Sequence, residues 1–276
     1  MKHRPGLWLA ACLLLGLAAC TSPEAEQSSI TLATTTSARD SGLLDSLLPL
    51  FTEETGVAVK VIAVGSGQAM EIGRRGDADL LLVHAPRAEE EFVAAGHGVK
   101  RHPLMHNDFV IAGPTADPAG IAGNTSLVTA LSKIADAQSK FVSRGDASGT
   151  HQKELELWQE AEIQPASPWY LESGSGMAAT LRIAHQQHCY TMVDRSTFLA
   201  LRDQLDLKIL CEGDPLLRND YSVILVNPAK HPHAKVEAAQ KLIDFLLSPC
   251  GQQHIAEFGR ERFGQSIFFP DAIEAK

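Results

Sequence analysis

From residue 29 onward, apolar residues recur in two patterns. Short apolar runs, such as the one from Ile30 to Ala33, predict β-strands. Longer segments repeat apolar residues every three or four positions, as between Leu43 and Phe51, and these predict amphipathic helices. Strands are predicted at 30–33, 57–64, 80–83, 108–114, 141–143, 189–193, 207–211 and 221–228. Helices are predicted at 43–55, 68–75, 87–95, 127–134, 148–160, 177–188, 197–201, 234–247 and 252–259.

This alternation of strands and helices predicts an α/β fold in which helices cover the sheets. The roughly 250 residues that follow the N-terminal region are enough for two lobes. Two extended segments, 108–114 and 219–228, are where we expect the chain to cross between the lobes. The predicted boundaries are 29–112 with 220–276 for a discontinuous lobe 1, and 113–219 for an inserted lobe 2.

The N-terminus has the pattern of an export signal. Lys2 and Arg4 precede an apolar run at 7–19, which ends in small residues. This run is shorter than the ~20 residues that a membrane-spanning helix needs. We therefore predict a signal peptide over residues 1–19.

The end of the run, Leu17-Ala18-Ala19-Cys20, resembles the lipobox of bacterial lipoproteins. The resemblance implies that Cys20 carries a lipid, which anchors the protein to a membrane surface. The alternative is a plain secretory signal followed by an incidental cysteine. Residues 20–28 are polar and lack periodicity, so we expect a flexible tether. The expected location is the periplasm or the cell surface.

The chain is acidic. Its formal net charge is −9, and loss of the two basic residues of the signal peptide makes it about −11. This charge argues against nucleic acid as a partner. An anion could still bind, but only through local donors, because the overall field opposes it.

Three cysteines follow Cys20, namely Cys189, Cys211 and Cys250. An oxidising compartment permits one disulfide, and we expect it between Cys189 and Cys211. The alternative is that all three are buried as small apolar residues.

Three predicted strand-to-helix turns carry groups that could bind an anion. The first holds four consecutive hydroxyl residues, Thr34 to Ser37, and the second is Gly65-Ser66-Gly67. Hydroxyls and backbone N–H groups donate hydrogen bonds to anions, and glycine allows close approach. The first turn could instead be an elaborate helix N-cap, and the second could be an ordinary tight turn.

The third turn, at 143–151, adds a positive charge. Arg144 offers a guanidinium fork that fits pairs of oxygens, and Ser148-Gly149-Thr150 begins a helix whose N-terminus favours negative charge. The alternative is an ion pair between Arg144 and Asp146 around an N-cap. Because ligands of such folds bind at the carboxyl ends of strands, we expect the three turns to face one crevice.

These motifs resemble those of the TupA-type tungstate-binding proteins, within the periplasmic binding protein superfamily. The resemblance covers nearly the whole mature chain. It includes 34–37, 64–69, 76–86, 107–110 and 143–151, with shorter matches at 169–170, 176–177, 194–195 and 212–214. It implies a type II periplasmic binding protein fold, with two α/β lobes, mixed sheets flanked by helices, and the ligand in the interlobe cleft.

The resemblance also implies a function and a site. The protein would capture a tetrahedral oxyanion, tungstate first and molybdate next, for an ABC importer. Its partners would be the permease and the ATPase of the inner membrane, and it would act as a monomer without a cofactor or a resident metal. The implied oxyanion contacts are Thr35, Thr36, Ser37, Ser66, Arg144 and Thr150, to which the helix start described above adds Ser148.

Phosphate is an alternative ligand, because the segment from Arg144 to Thr150 also resembles that of phosphate-binding proteins. Hydrogen phosphate carries a proton and favours a carboxylate acceptor, whereas tungstate, molybdate and sulfate are fully ionised near neutrality and are repelled by one. Asp146 and Asp79 are the candidate acceptors. If Asp146 is bound to Arg144 or to a backbone donor, phosphate loses its advantage.

An enzyme is the rival from another class. The sequence contains no Gly-x-Ser-x-Gly elbow, no Walker loop and no His-Glu-x-x-His motif, so hydrolase, nucleotidase and zinc-protease functions lack their usual residues. The histidine pairs at 185/188 and 231/233 lack a third ligand at metal-binding spacing. We therefore expect a binding protein that is not an enzyme.

Overall fold

The computed structural model describes residues 29–272. The predicted signal peptide at 1–19, Cys20 and the tether at 20–28 lie outside the described residues. Within residues 29–272, no helix is both long enough and apolar enough to cross a membrane.

Strands and helices alternate along most of the described chain. The first half contains β1 (Ser29–Thr35), α1 (Thr36–Asp40), α2 (Leu43–Thr55), β2 (Ala58–Val64), α3 (Ser66–Arg75), β3 (Leu80–Val83), α4 (Pro86–Ala94), β4 (Gly98–Pro114), α5 (Leu127–Asp136) and β5 (Phe141–Ser143). The second half contains α6 (Gly149–Glu160), β6 (Tyr170–Glu172), α7 (Met177–Gln187), β7 (Thr191–Asp194), α8 (Arg195–Leu201), β8 (Leu207–Cys211), β9 (Arg218–Val226), α9 (Val236–Leu247), α10 (Pro249–Glu257), α11 (Arg260–Phe263) and β10 (Phe269–Pro270).

The long strand β4 belongs to two sheets. The first sheet has the order β10-β4-β9-β3-β1-β2, with β1 parallel to β2 and β3 and antiparallel pairing elsewhere. Pairing of β4 with β9 ends at Asp108, and from Phe109 onward β4 pairs with β7 and then β8. A separate parallel pair joins β5 to β6. The chain thus passes from the first sheet to the second within β4.

Buried apolar side chains form three clusters around these sheets. One includes Leu47 and Phe51 of α2, which recur on one helix face and pack against the first sheet. On the opposite face, Phe92 belongs to a smaller cluster. The third cluster includes Phe141 and Trp158 of the second half. The arrangement is the predicted mixed α/β fold with flanking helices.

Two expectations are wrong. The apolar run at 57–64 predicts a buried strand, but β2 is half-buried, because it lies at the end of its sheet and pairs only with β1. Cys189 and Cys211 are both buried but free, because they pack in different apolar clusters. The alternative that all three cysteines are buried is also wrong, since Cys250 is exposed.

Candidate functional site

The three predicted turns meet in the folded chain. Ser66 begins α3 and Gly149 begins α6, and a Cβ atom placed on Gly149 would lie only 3.1 Å from Ser66 Oγ. The same position would lie 3.3 Å from the backbone oxygen of His84. His84 in turn contacts Ser37 of the first turn, with 3.3 Å between its Nε2 and Ser37 Oγ. Residues far apart in sequence are therefore brought to one place.

Six of the seven predicted site residues are buried there. Their exposed fractions are 3% for Thr35, 5% for Ser37, 1% for Ser66, 6% for Arg144, 6% for Ser148 and 2% for Thr150. Thr36 is half-buried. Polar side chains are rarely buried to this extent without a partner, so their hydrogen bonds indicate which of them are free to bind a ligand.

The first turn combines a cap with potential anion donors. Thr35 is the N-cap of α1, and its Oγ1 accepts from the backbone N–H of Ala38 at 3.3 Å. Its hydroxyl also lies 3.1 Å from Ser37 Oγ. Thr34 points elsewhere, because its hydroxyl donates to the backbone oxygen of Leu82 at 2.8 Å. The N-cap interpretation thus holds for Thr35, while Thr34 supports the sheet.

The Ser66 hydroxyl has no hydrogen-bond partner among the described residues, although its oxygen is buried. Leaving a buried hydroxyl unpaired costs free energy, on the order of 1–3 kcal/mol. A cost of this kind is common at sites that bind a ligand, because the ligand supplies the missing partner.

Arg144 takes part in both arrangements that the sequence left open. Its Nε and Nη2 atoms donate to Asp146 Oδ2 at 3.2 and 2.5 Å. These two bonds form the Arg144–Asp146 ion pair that the sequence left open as an alternative to anion binding. Its Nη1 atom points to Thr150 Oγ1 at 3.4 Å, toward the start of α6. One edge of the guanidinium is therefore bound by Asp146, and Nη1 is the part of the fork that faces the start of α6.

Both carboxylate oxygens of Asp146 accept hydrogen bonds. Besides the pair with Arg144, its Oδ1 accepts from the backbone N–H of Ser148 at 3.2 Å. Burial alone would raise the pKa of Asp146, but hydrogen bonds from Ser148 and Arg144 hold it below its usual value. The other candidate acceptor, Asp79, lies elsewhere and accepts from the backbone N–H groups of Thr31 and Lys235, each at 2.8 Å.

The start of α6 is capped by Ser148. Its side chain accepts from the backbone N–H of His151 at 3.3 Å. Gly149 and Thr150 follow in the first turn of this 12-residue helix, where N–H groups have no carbonyl partner within the helix. These N–H groups and the helix dipole favour an anion at this end.

Several residues around the site were missed by the sequence analysis. Ser173 supports Arg144, because its hydroxyl donates to the Arg144 backbone oxygen at 3.1 Å. His84 contacts Ser37, and Asn219 contacts His84. The one feature that could have identified His84 is its position directly after β3, beside the strand whose end carries the first turn.

A cleft of about 630 Å³ leads from solvent toward the site. His84 and Gly149 line it together with several charged side chains from both halves of the chain. Among the lining residues are Arg87, Lys153, Arg218 and Asn219. Within residues 29–272 no group of three or more His, Cys, Asp or Glu side chains could hold a metal ion.

Comparison with known proteins identifies the class to which this fold and site belong. Residues 21–249 match the family model of a PBP superfamily domain. The chain is a solute-binding protein of the periplasmic binding protein class, which confirms the predicted fold.

Individual relatives define the family more narrowly. The tungstate-binding protein TupA of Peptoclostridium acidaminophilum is 47% identical over 274 residues, which is 96% of each chain. Among solved structures, TupA from Desulfovibrio alaskensis G20 shares 46% identity, with a TM-score of 0.78 over 89% of this chain and 100% of that one. The tungstate ABC transporter structure from Geobacter sulfurreducens also has 46% identity and a TM-score of 0.78, over 83% and 98% of the two chains. The chain belongs to the TupA family of tungstate-binding proteins, as the resemblance predicted.

Proposed function

We propose that this protein captures tungstate between its two halves and delivers it to an ABC importer. The observation that carries the proposal is the buried cluster of donors formed by the three turns, with Arg144 beside the start of α6. The names of the relatives, which describe tungstate-binding proteins and a tungstate ABC transporter, support the same ligand.

The state of the carboxylates supports a fully ionised oxyanion over hydrogen phosphate. A proton on the ligand is useful only where an acceptor is free to receive it. Asp146 is already bound by Arg144 and Ser148, and Asp79 is bound by two backbone N–H groups away from the site. Tungstate and molybdate need donors only, and the hydroxyls and N–H groups described above are donors.

The seven predicted contacts contribute differently in this proposal. Thr35, Thr36 and Ser66 offer hydroxyl protons, Ser37 contributes through its contact with the Thr35 hydroxyl, and Arg144 offers Nη1 and its charge. Ser148 chiefly caps α6 and binds Asp146, so its contribution is to hold the helix start in place. Thr150 lies in the first turn of α6, and its hydroxyl is 3.4 Å from Arg144 Nη1.

The proposed location follows from the N-terminal sequence. A signal peptide at 1–19 and a lipid on Cys20 would place the protein in the periplasm or on the cell surface, attached to the membrane by its tether. There it would act as a monomer, with the importer's permease and ATPase as partners.

Titration of Arg144 variants with tungstate tests this proposal. Arg144→Ala removes a charge-assisted hydrogen bond, which contributes about 1.5–3 kcal/mol, so affinity should fall by about one to two orders of magnitude. The unpaired Asp146 would add repulsion of the anion. Arg144→Lys should recover part of the loss, since lysine keeps the charge without the planar fork.

Arg218→Ala is a matched control. This cation lies at the cleft and is half-exposed, paired with Asp220 and Asp271. Its removal should change the dissociation constant for tungstate by less than about threefold, because exposed ion pairs contribute little. An Arg144→Ala protein that is folded by circular dichroism and binds tungstate as tightly as the wild type would show that the site is elsewhere.

A further inference from the structure

His84 connects the site to β4, the strand that belongs to both sheets. The residue directly follows β3, and its side chain is only 7% exposed. Its Nε2 atom lies 3.3 Å from Ser37 Oγ, and its Nδ1 atom lies 2.9 Å from Asn219 Oδ1. The ring also packs against Tyr221, with 4.7 Å between the ring centroids. Both ring nitrogens therefore have defined partners.

The orientation of the Asn219 amide in the structure sets which ring nitrogen carries the proton. Asn219 Nδ2 donates to Asn107 Oδ1 at 2.7 Å and to the Tyr221 hydroxyl at 3.3 Å. In this arrangement the amide oxygen of Asn219 faces His84, and an amide oxygen can only accept, so Nδ1 of His84 carries the proton. In a neutral ring, Nε2 is then an acceptor, and the Ser37 hydroxyl donates to it.

The surroundings of the ring keep it neutral. Burial lowers the pKa of His84 to about 4, the hydrogen bond with Asn219 opposes this effect, and the positive charge of Arg144 adds to it. Ser37, Asn219 and Tyr221, which contact the ring, carry no charge near neutrality. His84 is therefore uncharged over the pH range in which tungstate is a simple dianion.

We propose that His84 is a positioning residue of the oxyanion site, which holds the Ser37 hydroxyl in one direction. Through Asn219 of β9 and Asn107 of β4, which pair with each other, it connects that hydroxyl to β4, the strand that belongs to both sheets. The Ser37 oxygen is thereby fixed beside Thr35, whose proton can turn from Ser37 to a bound anion. This inference rests on the proposed function, because it concerns the same site.

Two amide substitutions separate the contact with Ser37 from the contact with Asn219. In His84→Gln the amide reaches the position of Nε2, so Ser37 keeps a partner. In His84→Asn the amide reaches only the position of Nδ1, so the partner of Asn219 is kept and that of Ser37 is lost. A neutral hydrogen bond of this kind corresponds to about a three- to tenfold change in affinity.

Tungstate affinity is measured for the full chain and these variants, alone and combined with Ser37→Ala. His84→Gln should stay within about threefold of the wild type, and His84→Asn should lose about three- to tenfold. In the Ser37→Ala background, His84→Asn should cause no further loss of tungstate affinity, because its effect acts through Ser37. If His84→Asn lowers tungstate affinity as much in that background as it does alone, His84 is a structural residue only, and the inference is overturned.

A second measurement uses the wild type alone, so that it does not depend on a variant that folds. Nitrogen-15 NMR of the histidine rings should show one buried ring with a protonated Nδ1 and an unprotonated Nε2. A protonated Nε2 on His84 would reverse the direction of the bond to Ser37 and contradict the inference. A wild type that binds no oxyanion would instead refute the proposed function, and this inference would fail with it.

Discussion

The hydroxyl of Ser66 is buried and lacks a hydrogen-bond partner among residues 29–272. Ser66→Ala should therefore leave the free energy of unfolding of the ligand-free protein unchanged or raise it by up to about 1 kcal/mol, because an unsatisfied polar group is removed. The same change should lower tungstate affinity by about tenfold, because a donor to the anion is lost. Urea unfolding and calorimetric titration measure the two effects.

Thr34→Val is the control for this substitution. The Thr34 hydroxyl is equally buried but donates to Leu82 within the sheet. Its loss should lower the free energy of unfolding by about 1 kcal/mol and leave tungstate affinity unchanged. If Ser66→Ala destabilises the protein and leaves affinity intact, Ser66 is not a ligand contact.

Glu154 introduces a pH dependence at the residue scale. The carboxyl group is 3% exposed in α6, with donors at Trp158 Nε1 and the Tyr170 hydroxyl. Burial raises its pKa from 4.5 to about 7, despite the hydrogen bonds that favour the charged form. The folded state thus holds a proton that the unfolded state releases, so Glu154 reduces stability as pH rises from 4.5 through 7.

Glu154→Gln should remove this loss, because the amide stays neutral at every pH. The free energy of unfolding of the variant, relative to the wild type, should rise by up to about 3 kcal/mol between pH 4.5 and pH 8. Other titrating groups, His84 among them, cancel in this difference. Parallel pH profiles for the two proteins would show that Glu154 is ionised normally in the folded state.

At the scale of elements, periodicity predicted most of the fold. The strand at Leu80–Val83 and the helix at Gly149–Glu160 follow directly from local patterns of apolar residues and caps. The first part of β4, by contrast, carries Lys100, Arg101 and Pro103, and only its pairing with β9 makes it a strand. Strand pairing of this kind depends on residues more than 100 positions away, which a local pattern cannot reveal.

For the candidate site, local patterns identified the turns but not all of their contacts. Hydroxyl, glycine and arginine residues at strand-to-helix turns are visible in sequence, and the structure brings them together. The contact of His84 with Ser37 could not be predicted, because it depends on the folding of β3 beside β1. The sequence left the pair of Arg144 with Asp146 open as an alternative, and in the structure Asp146 occupies one edge of the guanidinium.

The helix start at Gly149 provides a test at the element scale. A methyl group there would lie 3.1 Å from Ser66 Oγ and 3.3 Å from the His84 backbone oxygen, both across the site. Gly149→Ala should hold the turns apart and weaken tungstate binding by about tenfold, since overpacking costs about 1–3 kcal/mol. The free energy of unfolding should fall by no more than the same amount.

Gly176→Ala is its control. Gly176 also precedes a helix, and no heavy atom lies within 4 Å of the position of its Cβ. Its replacement should change tungstate affinity by less than about twofold. Equal losses in the two variants would mean that crowding between Gly149 and Ser66 does not limit binding.

At the scale of the whole molecule, β4 joins the two sheets. We propose the boundaries 29–112 with 220–276 for lobe 1 and 113–219 for lobe 2. The change of partner strands between Asp108 and Phe109 supports a crossing close to the first boundary. Arg195, in lobe 2, binds Asp108 at 2.6 Å and Glu212 at 2.7 Å. These two ion pairs would stabilise the crossing.

Calorimetric titration of the purified protein with tungstate, molybdate, sulfate and phosphate tests the central claim most directly. All four anions are tetrahedral, so the ranking isolates charge state and size. We expect one tungstate per chain, molybdate of comparable affinity, and sulfate and phosphate at least about tenfold weaker, a difference of about 1.4 kcal/mol or more. Phosphate binding tighter than tungstate, or no heat from any of the four at millimolar concentration, would contradict the account.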